Sequence, residues 1–359
     1  MIYLDYQATT PLAPEARAAM LPWLAGPGEE GFANPHSTHR AGRVAAAAVA
    51  LAREEVAALC PAGGRVIFTS GATEALNLAI RGVGAGPIAA SAIEHAAVLD
   101  TARATGAPLA LLPVARSGHV PADVRIAPGT RLVAVMQVNN EIGTIQPVAA
   151  LADAAHDAGA LFLCDAVQGA GKLAAPAGAD LIAISAHKLH GPKGIGALWI
   201  REGLALAPQI TGGGQEDGLR SGTLSPMLCA GFGAAAQASR ACHATDRAHV
   251  AQLWQAARGA LGDWLLNGSA EQRWRGNLNL RKPGLDVARL MSDCRDIAFS
   301  AGSACASGSG RPSHVLEAIG LSAAEAKSSI RIGFGRYTTH AELLDACARI
   351  GEAAKAQGI

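Results

Sequence analysis

The sequence predicts an α/β protein built on a mostly parallel sheet, and two observations carry that prediction. Short apolar runs alternate with longer stretches of helical composition along most of the chain. Residues able to do chemistry cluster directly after those runs, where the carboxyl ends of parallel strands share a crevice. Residues 65–69 (Arg-Val-Ile-Phe-Thr) precede a helix beginning near Ala72, and residues 87–91 precede one from about His95. Residues 131–136 precede a helix from about Pro147, and apolar runs at 160–164, 180–184 and 195–200 complete the set. An alanine-heavy helix at about 39–59 has packing as its role.

The second half of the chain reads differently. Residues 226–266 are Ala-rich and helical and form a connector. A strand at 277–280, a helix at 285–294, a strand at 296–300 and a Gly/Ser-rich loop at 301–309 follow. A final strand at 329–334 and a helix from about Thr339 close a smaller α+β domain. The expected division is a large domain at 12–240 and a small domain made of 1–11 and 241–359. There is no internal repeat and no low-complexity tail.

With 359 residues, half of them hydrophobic, the chain can bury a sizeable core. Lys plus Arg total 30 against 29 Asp plus Glu, which argues against nucleic acid or an anionic membrane as the main partner. No run approaches the roughly 20 apolar residues of a membrane span, and no basic segment followed by an apolar one opens the chain. The seven cysteines are odd in number and lack a CxxC pair, which fits neither a disulfide framework nor a zinc site. A reducing cytoplasm is the expected setting.

The most informative residue is Lys188, in Ser185-Ala186-His187-Lys188-Leu189-His190-Gly191. A lysine at the end of a buried strand is partly desolvated, and a neutral amine can form a Schiff base with an aldehyde. Upstream, Asp165 ends an apolar run and Gln168 follows it. A carboxylate placed to hold a pyridine nitrogen protonated, followed by a Ser-x-His-Lys turn, suits pyridoxal 5′-phosphate (PLP). Ser70-Gly71-Ala72-Thr73-Glu74 joins strand to helix; taken alone it is a plain N-cap, but beside such a lysine its backbone N–H groups and Thr73 hydroxyl read as a phosphate seat that Ser185 and His187 could complete. His95 is placed to stack on the ring and act as an acid/base; a capping or core histidine is the plain alternative. Asn140, in Asn139-Asn140-Glu141-Ile142-Gly143, can bond a cofactor oxygen or a substrate carboxylate, or simply belong to an Asn/Gly turn.

Gly212–Gly214 with Arg220-Ser221-Gly222-Thr223 reads as an active-site loop that reaches a neighbouring subunit, against the alternative of a linker. Cys305 lies among small, flexible residues, where a thiolate can be carried to a substrate. Arg331, in an apolar strand, needs an anionic partner, either a substrate carboxylate or a structural ion pair.

Taken together these motifs resemble the cysteine desulfurases of the NifS/IscS type, in the class V branch of the fold-type I PLP enzymes. The resemblance runs from Tyr3-Leu4-Asp5-Tyr6-Gln7-Ala8-Thr9-Thr10-Pro11 to Ser328-Ser329-Ile330-Arg331. It implies a seven-stranded sheet in the large domain and a reaction that takes L-cysteine to L-alanine, leaving sulfur on Cys305 as a persulfide. It further implies that Lys188 binds PLP covalently, Asp165 pairs with the pyridine nitrogen, and Gln168 and Asn140 contact the ring oxygen. His95 would stack on the ring, and Ala72, Thr73, Ser185 and His187 would hold the phosphate, with Thr223 supplied by the other subunit of a homodimer. Arg331, helped by Asn34, would bind the substrate carboxylate.

No resident metal is implied, apart from contact of Cys305 with an iron–sulfur cluster during transfer. A sulfur acceptor or scaffold protein is the expected partner, in iron–sulfur assembly, nitrogenase maturation or tRNA thiolation. The rivals are a selenocysteine lyase, another fold-type I enzyme such as an aminotransferase, and a PLP-binding sulfur carrier or regulator without turnover. An aminotransferase has no need of Cys305.

Overall fold

The computed structural model describes residues 1–302 and 313–359. Its strands are β1 (Ile2–Tyr3), β2 (Gly64–Thr69), β3 (Ile88–Ser91), β4 (Leu109–Leu112), β5 (Leu132–Ala134), β6 (Leu161–Asp165) and β7 (Leu181–Ser185). They continue with β8 (Gly196–Arg201), β9 (Leu265–Leu266), β10 (Asn277–Arg281), β11 (Ile297–Ala298), β12 (Ser300–Ala301) and β13 (Ser329–Gly333). The helices are α1 (Pro14–Met20), α2 (Arg40–Ala57), α3 (Ala72–Gly82), α4 (Ala96–Ala104), α5 (Val148–Asp157) and α6 (Pro226–Ala241). After them come α7 (His243–Ala260), α8 (Val287–Asp293), α9 (His314–Ala318), α10 (Ala323–Lys327) and α11 (His340–Lys355).

The main sheet has seven strands in the order β2-β8-β7-β6-β5-β3-β4. Neighbours from β7 to β4 pair in parallel, whereas β8 is antiparallel to both β7 and β2. Only β8 of the seven is therefore reversed. The apolar runs are nearly continuous because both faces of the sheet are covered. Phe162, Cys164, Ile182 and Ile184 point into the core shared with α2 and α6. Leu163, Leu181 and Ala183 alternate with them and point into the core under α3 and α4.

The alanines of α2 do pack. Ala45, Val49, Ala52 and Val56 are buried, and a Cβ placed on Gly233 of α6 would lie 2.7 Å from the Ala52 Cα. The two helices touch through side chains that are small or missing.

Four of the six remaining strands build a second sheet, β12-β13-β10-β9, against a separate core that includes Leu253, Leu278, Ile332, Leu343 and Ile350. The N-terminus joins this part of the molecule. β1 pairs with β11, and Asp5 bridges to Gly333.

Candidate active site

β2, β3, β5, β6 and β7 run the same way, so Thr69, Ser91, Ala134, Asp165 and Ser185 arrive at one edge of the sheet. A cavity opens there. Its lining includes six of the residues singled out in the sequence: Ala72, Thr73, His95, Asn140, Asp165 and Gln168.

Gly71 is the N-cap of α3, and no side chain caps the helix. A Cβ placed on Gly71 would meet nothing within 4 Å, so open space adjoins the first-turn N–H groups. Behind this turn the packing is tight. A Cβ on Gly196 would sit 2.6 Å from the Gly71 carbonyl carbon, which accounts for glycine at that position. Glu74, in the first turn, would oppose an anion if its charge stood alone. Instead it accepts from Arg220 Nε at 2.7 Å and Nη2 at 3.2 Å, and from the Ser70 N–H at 2.7 Å. Burial alone would raise the Glu74 pKa, but these partners outweigh it and the net shift is downward.

Lys188 ends a single helical turn, Ala186–Lys188, directly after β7. Its Nζ donates to the carbonyls of Gln7 at 2.5 Å and Ala8 at 2.7 Å. The N-terminal segment is clamped across this turn. Thr10 donates to the His187 carbonyl from both N and Oγ1 at 2.9 Å, and the His190 N–H donates to Thr10 Oγ1 at 2.8 Å. His190 completes the bend at a φ of 68°, with its Nδ1 2.9 Å from the Pro11 carbonyl oxygen. His187 Nδ1 lies 3.1 Å from Thr9 Oγ1, and burial, reinforced by the Lys188 charge, pushes its pKa down to about 4.

Gln168 Nε2 donates to the same Gln7 carbonyl, at 2.9 Å, that Lys188 contacts. Asp165 ends β6, and its Oδ1 accepts the Val167 N–H at 2.9 Å. Burial raises the Asp165 carboxyl above the ordinary range, against the pull of the Val167 N–H, His95 and Lys188. His95 caps α4, its Nδ1 accepting the Ala97 N–H at 3.0 Å. Burial lowers its pKa; Asp165 opposes that shift and Lys188 adds to it. Asn140 is presented by its neighbour. Asn139 Oδ1 accepts the N–H groups of Glu141 and Ile142, each at 2.9 Å, which fixes the turn.

Arg331 sits on β13 and is 1% exposed. Its Nη2 donates to Asp5 Oδ1 at 2.7 Å and to Ser300 Oγ at 3.3 Å, and its Nη1 to the Asn140 carbonyl at 3.2 Å. Ser185 is buried without a side-chain cap bond. Asn34 is exposed, and its Oδ1 accepts the His36 N–H. Thr223 is exposed on the segment that Arg220 ties to Glu74. Cys305 lies in residues 303–312, outside the described residues.

Two buried carboxyls beside the site were not picked out as functional in the sequence. Glu141 Oε2 accepts from Ser313 Oγ. Glu94 is fully buried, and its Oε1 accepts the Met136 N–H at 2.8 Å. Burial, followed by the Asp165 charge, raises the Glu94 pKa well above 4.5. The available signal was a glutamate wedged between Ile93 and His95 directly after a strand.

The Glu94 shift has a definite sign. The native state keeps a proton that the unfolded chain releases, so the stabilisation is complete below about 4.5 and is lost as pH rises. The loss runs at up to about 1.4 kcal/mol per pH unit while the group titrates. Glu94→Gln keeps an acceptor for Met136 and cannot ionise. Its urea midpoint is therefore expected to fall less than that of the wild type between about pH 5 and about pH 8. Parallel declines in the two proteins would show that Glu94 does not set this dependence.

The aminotransferase class-V family matches the chain over residues 2–345. The chain belongs to the aminotransferase class-V family. Among its class-V relatives is a cysteine desulfurase IscS from Rickettsia bellii (strain OSU 85-389), 41% identical over 365 residues that span 95% of this chain and 88% of that one. A solved NifS-like protein superposes with a TM-score of 0.87 at 30% identity, covering 98% of both chains. SspA, solved in complex with cysteine, superposes at 0.82 with 34% identity, covering 94% of this chain and all of the other. Class-V enzymes depend on PLP, and the residues present fit that group. Gln168 Nε2 has a second hydrogen beyond the one it gives the Gln7 carbonyl, free to meet a ring oxygen, and the uncapped α3 N-terminus beside Gly71 adjoins open space where a phosphate would meet its N–H groups. Among the described residues, no helix is long and apolar enough to cross a membrane.

Proposed function

We propose that the chain is a cysteine desulfurase that takes L-cysteine to L-alanine and keeps the sulfur as a persulfide on Cys305. The observation that carries this reading is the cavity at the strand ends. There Asp165, His95, Asn140 and Gln168 meet the uncapped start of α3, and Lys188 shares the Gln7 carbonyl with Gln168. When bound, PLP supplies an electron sink for breaking the Cα–H bond of the amino acid. Lys188 Nζ anchors the cofactor and carries the Cα proton. Asp165 holds the pyridine nitrogen protonated, and His95 covers the ring. Ala72, Thr73, Ser185 and His187 hold the phosphate, and Gln168 and Asn140 bond the ring oxygen. Arg331, with Asn34, takes the substrate carboxylate, and the Cys305 thiolate accepts the sulfur.

The working unit is a cytoplasmic homodimer in which Thr223 crosses to the other subunit's phosphate. The large domain spans 12–240, and the small domain comprises 1–11 and 241–359; the pairing of β1 with β11 supports that division. From Cys305 the sulfur passes to an acceptor or scaffold protein for iron–sulfur or thio-cofactor assembly.

Incubating the PLP-loaded protein with L-cysteine and a thiol reductant is expected to yield alanine and sulfide in equal amounts. Pyruvate, or alanine without sulfide, would sink the assignment. Asp165→Asn is expected to retain PLP and to lose about 10²-fold or more in turnover, because the electron sink weakens while the phosphate seat stays. Turnover near wild type would place ring protonation under another group.

A further inference from the structure

We infer that Asp5 is the resident counter-ion of Arg331 and that it competes with the carboxylate of an incoming amino acid for that guanidinium. The inference rests on the reading of Arg331 as the carboxylate site. Arg331 is 1% exposed, and a buried guanidinium needs an anion. Asp5 Oδ1 supplies it at 2.7 Å. The Asp5 side chain is 20% exposed, so it has water to turn towards when displaced.

The donor pattern makes this a competition. A guanidinium offers two forks, Nε with Nη2 and Nη1 with Nη2, and a carboxylate held bidentately takes one of them. Both forks use Nη2, which is engaged by Asp5 and Ser300. Nη1 is engaged by the Asn140 carbonyl, and Nε is buried with no partner among the described residues. A ligand carboxylate that takes the free Nε must also take an Nη2 hydrogen to close the fork. Whichever hydrogen it takes, two carboxylates then compete for one positive charge.

The position of Asp5 in the chain gives the exchange a consequence. The Asp5 carbonyl accepts the N–H groups of Ala8 at 2.9 Å and Thr9 at 3.3 Å. The same turn offers the Gln7 and Ala8 carbonyls to Lys188 Nζ. One short segment thus holds both the arginine and the lysine. Asp5 is a positioning residue, set to yield when a carboxylate arrives.

The test is equilibrium binding to the PLP-loaded protein, by calorimetry, of L-alanine and of ethylamine, which lacks the carboxylate. Neither has a thiol, so neither is desulfurated. Asp5→Asn keeps an acceptor for Nη2 and removes the charge. It is expected to bind L-alanine about fivefold or more tightly than the wild type, with ethylamine changed by less than about twofold. Equal or weaker L-alanine binding by folded Asp5→Asn overturns the proposal. If that variant does not fold, Asp5→Ser takes its place under the same criteria. Failure of both to fold also overturns it, because a counter-ion that must leave in each turnover cannot be indispensable to the fold. Arg331→Lys separates this from the underlying reading. If it loses the preference for L-alanine over ethylamine, Arg331 is the carboxylate site whatever Asp5 does. If it keeps the preference, that reading fails.

Discussion

Lys188→Ala is expected to abolish covalent attachment of PLP and to lower desulfuration by roughly 10²–10⁴-fold. The lysine is held at the strand edge by a turn that Thr10 clamps from two directions, with its Nζ against the Gln7 and Ala8 carbonyls. Alanine at 188 leaves that clamp intact, because the clamp bonds the backbone of His187 and His190. The variant should therefore fold and still hold PLP without a covalent bond, through Asp165 and the start of α3. The competing amine is Lys172. Burial, reinforced by the Lys188 charge, pushes its pKa down to about 7, and its Nζ lies 5.9 Å from the Trp274 ring centroid. A lysine that sheds its proton near neutrality can also attack an aldehyde. Borohydride reduction followed by peptide mapping separates the two. Wild-type protein should carry the reduced adduct on the Lys188 peptide, and the variant should carry none. An adduct on Lys172 in the wild type, or turnover by the variant within tenfold of wild type, would remove Lys188 from the chemistry.

The elements most legible in the sequence are those whose function is local. The runs that became β6 and β7 are apolar because both faces of the sheet are covered, and Asp165 and Lys188 stand out at their ends. His95 was legible because an N-cap sits where a strand hands over to a helix. Where a backbone leaves its ladder to serve a side chain, the apolar run extends past the strand. Residues 131–136 looked like one strand, but β5 stops at Ala134 and the Met136 N–H turns to Glu94. Residues 296–300 also looked like one strand, yet they divide between two sheets. Ile297–Ala298 pairs with β1, and Ser300–Ala301 pairs with β13.

β4 carries little signal in the sequence because Leu109–Leu112 is an edge strand with exposed positions and little alternation. The Gly-rich segment around residue 216 reads as an active-site loop, with no hint that Glu216 goes inward, to Arg53 and to the Phe68 N–H at 2.6 Å. Nothing local marks a pair whose members are 163 residues apart. The Asp5–Arg331 pair is hidden for the same reason. Its members are 326 residues apart, and the sequence alone left substrate and structural partners open for Arg331.

Cys305→Ser is expected to remove nearly all sulfide release while leaving the fold, PLP binding and amino-acid binding in place. A hydroxyl is a poor nucleophile towards sulfur without strong activation, and the drop should be roughly 10²-fold or more. Five of the other six cysteines are poor substitutes for a physical reason. Burial pushes the thiols of Cys60, Cys229 and Cys347 up to about 12, and Cys164 well above its ordinary value. A thiol with a pKa near 12 is thiolate in about one molecule in 10⁵ at neutral pH, and the thiolate is the attacking form. Cys294 is also raised by burial. Cys164 is further removed from the chemistry because it lies inside β6, in the core of the sheet. In the sequence, Cys305 is set among small side chains, in Ala304-Cys305-Ala306-Ser307-Gly308. Mass spectrometry of wild-type protein after brief exposure to L-cysteine should therefore place one additional sulfur on the Cys305 peptide, and the Cys305→Ser protein should show none. Sulfur found on Cys60, Cys242, Cys294 or Cys347 in its place, or sulfide release by Cys305→Ser at the wild-type rate, would make the proposed transfer wrong at its central step.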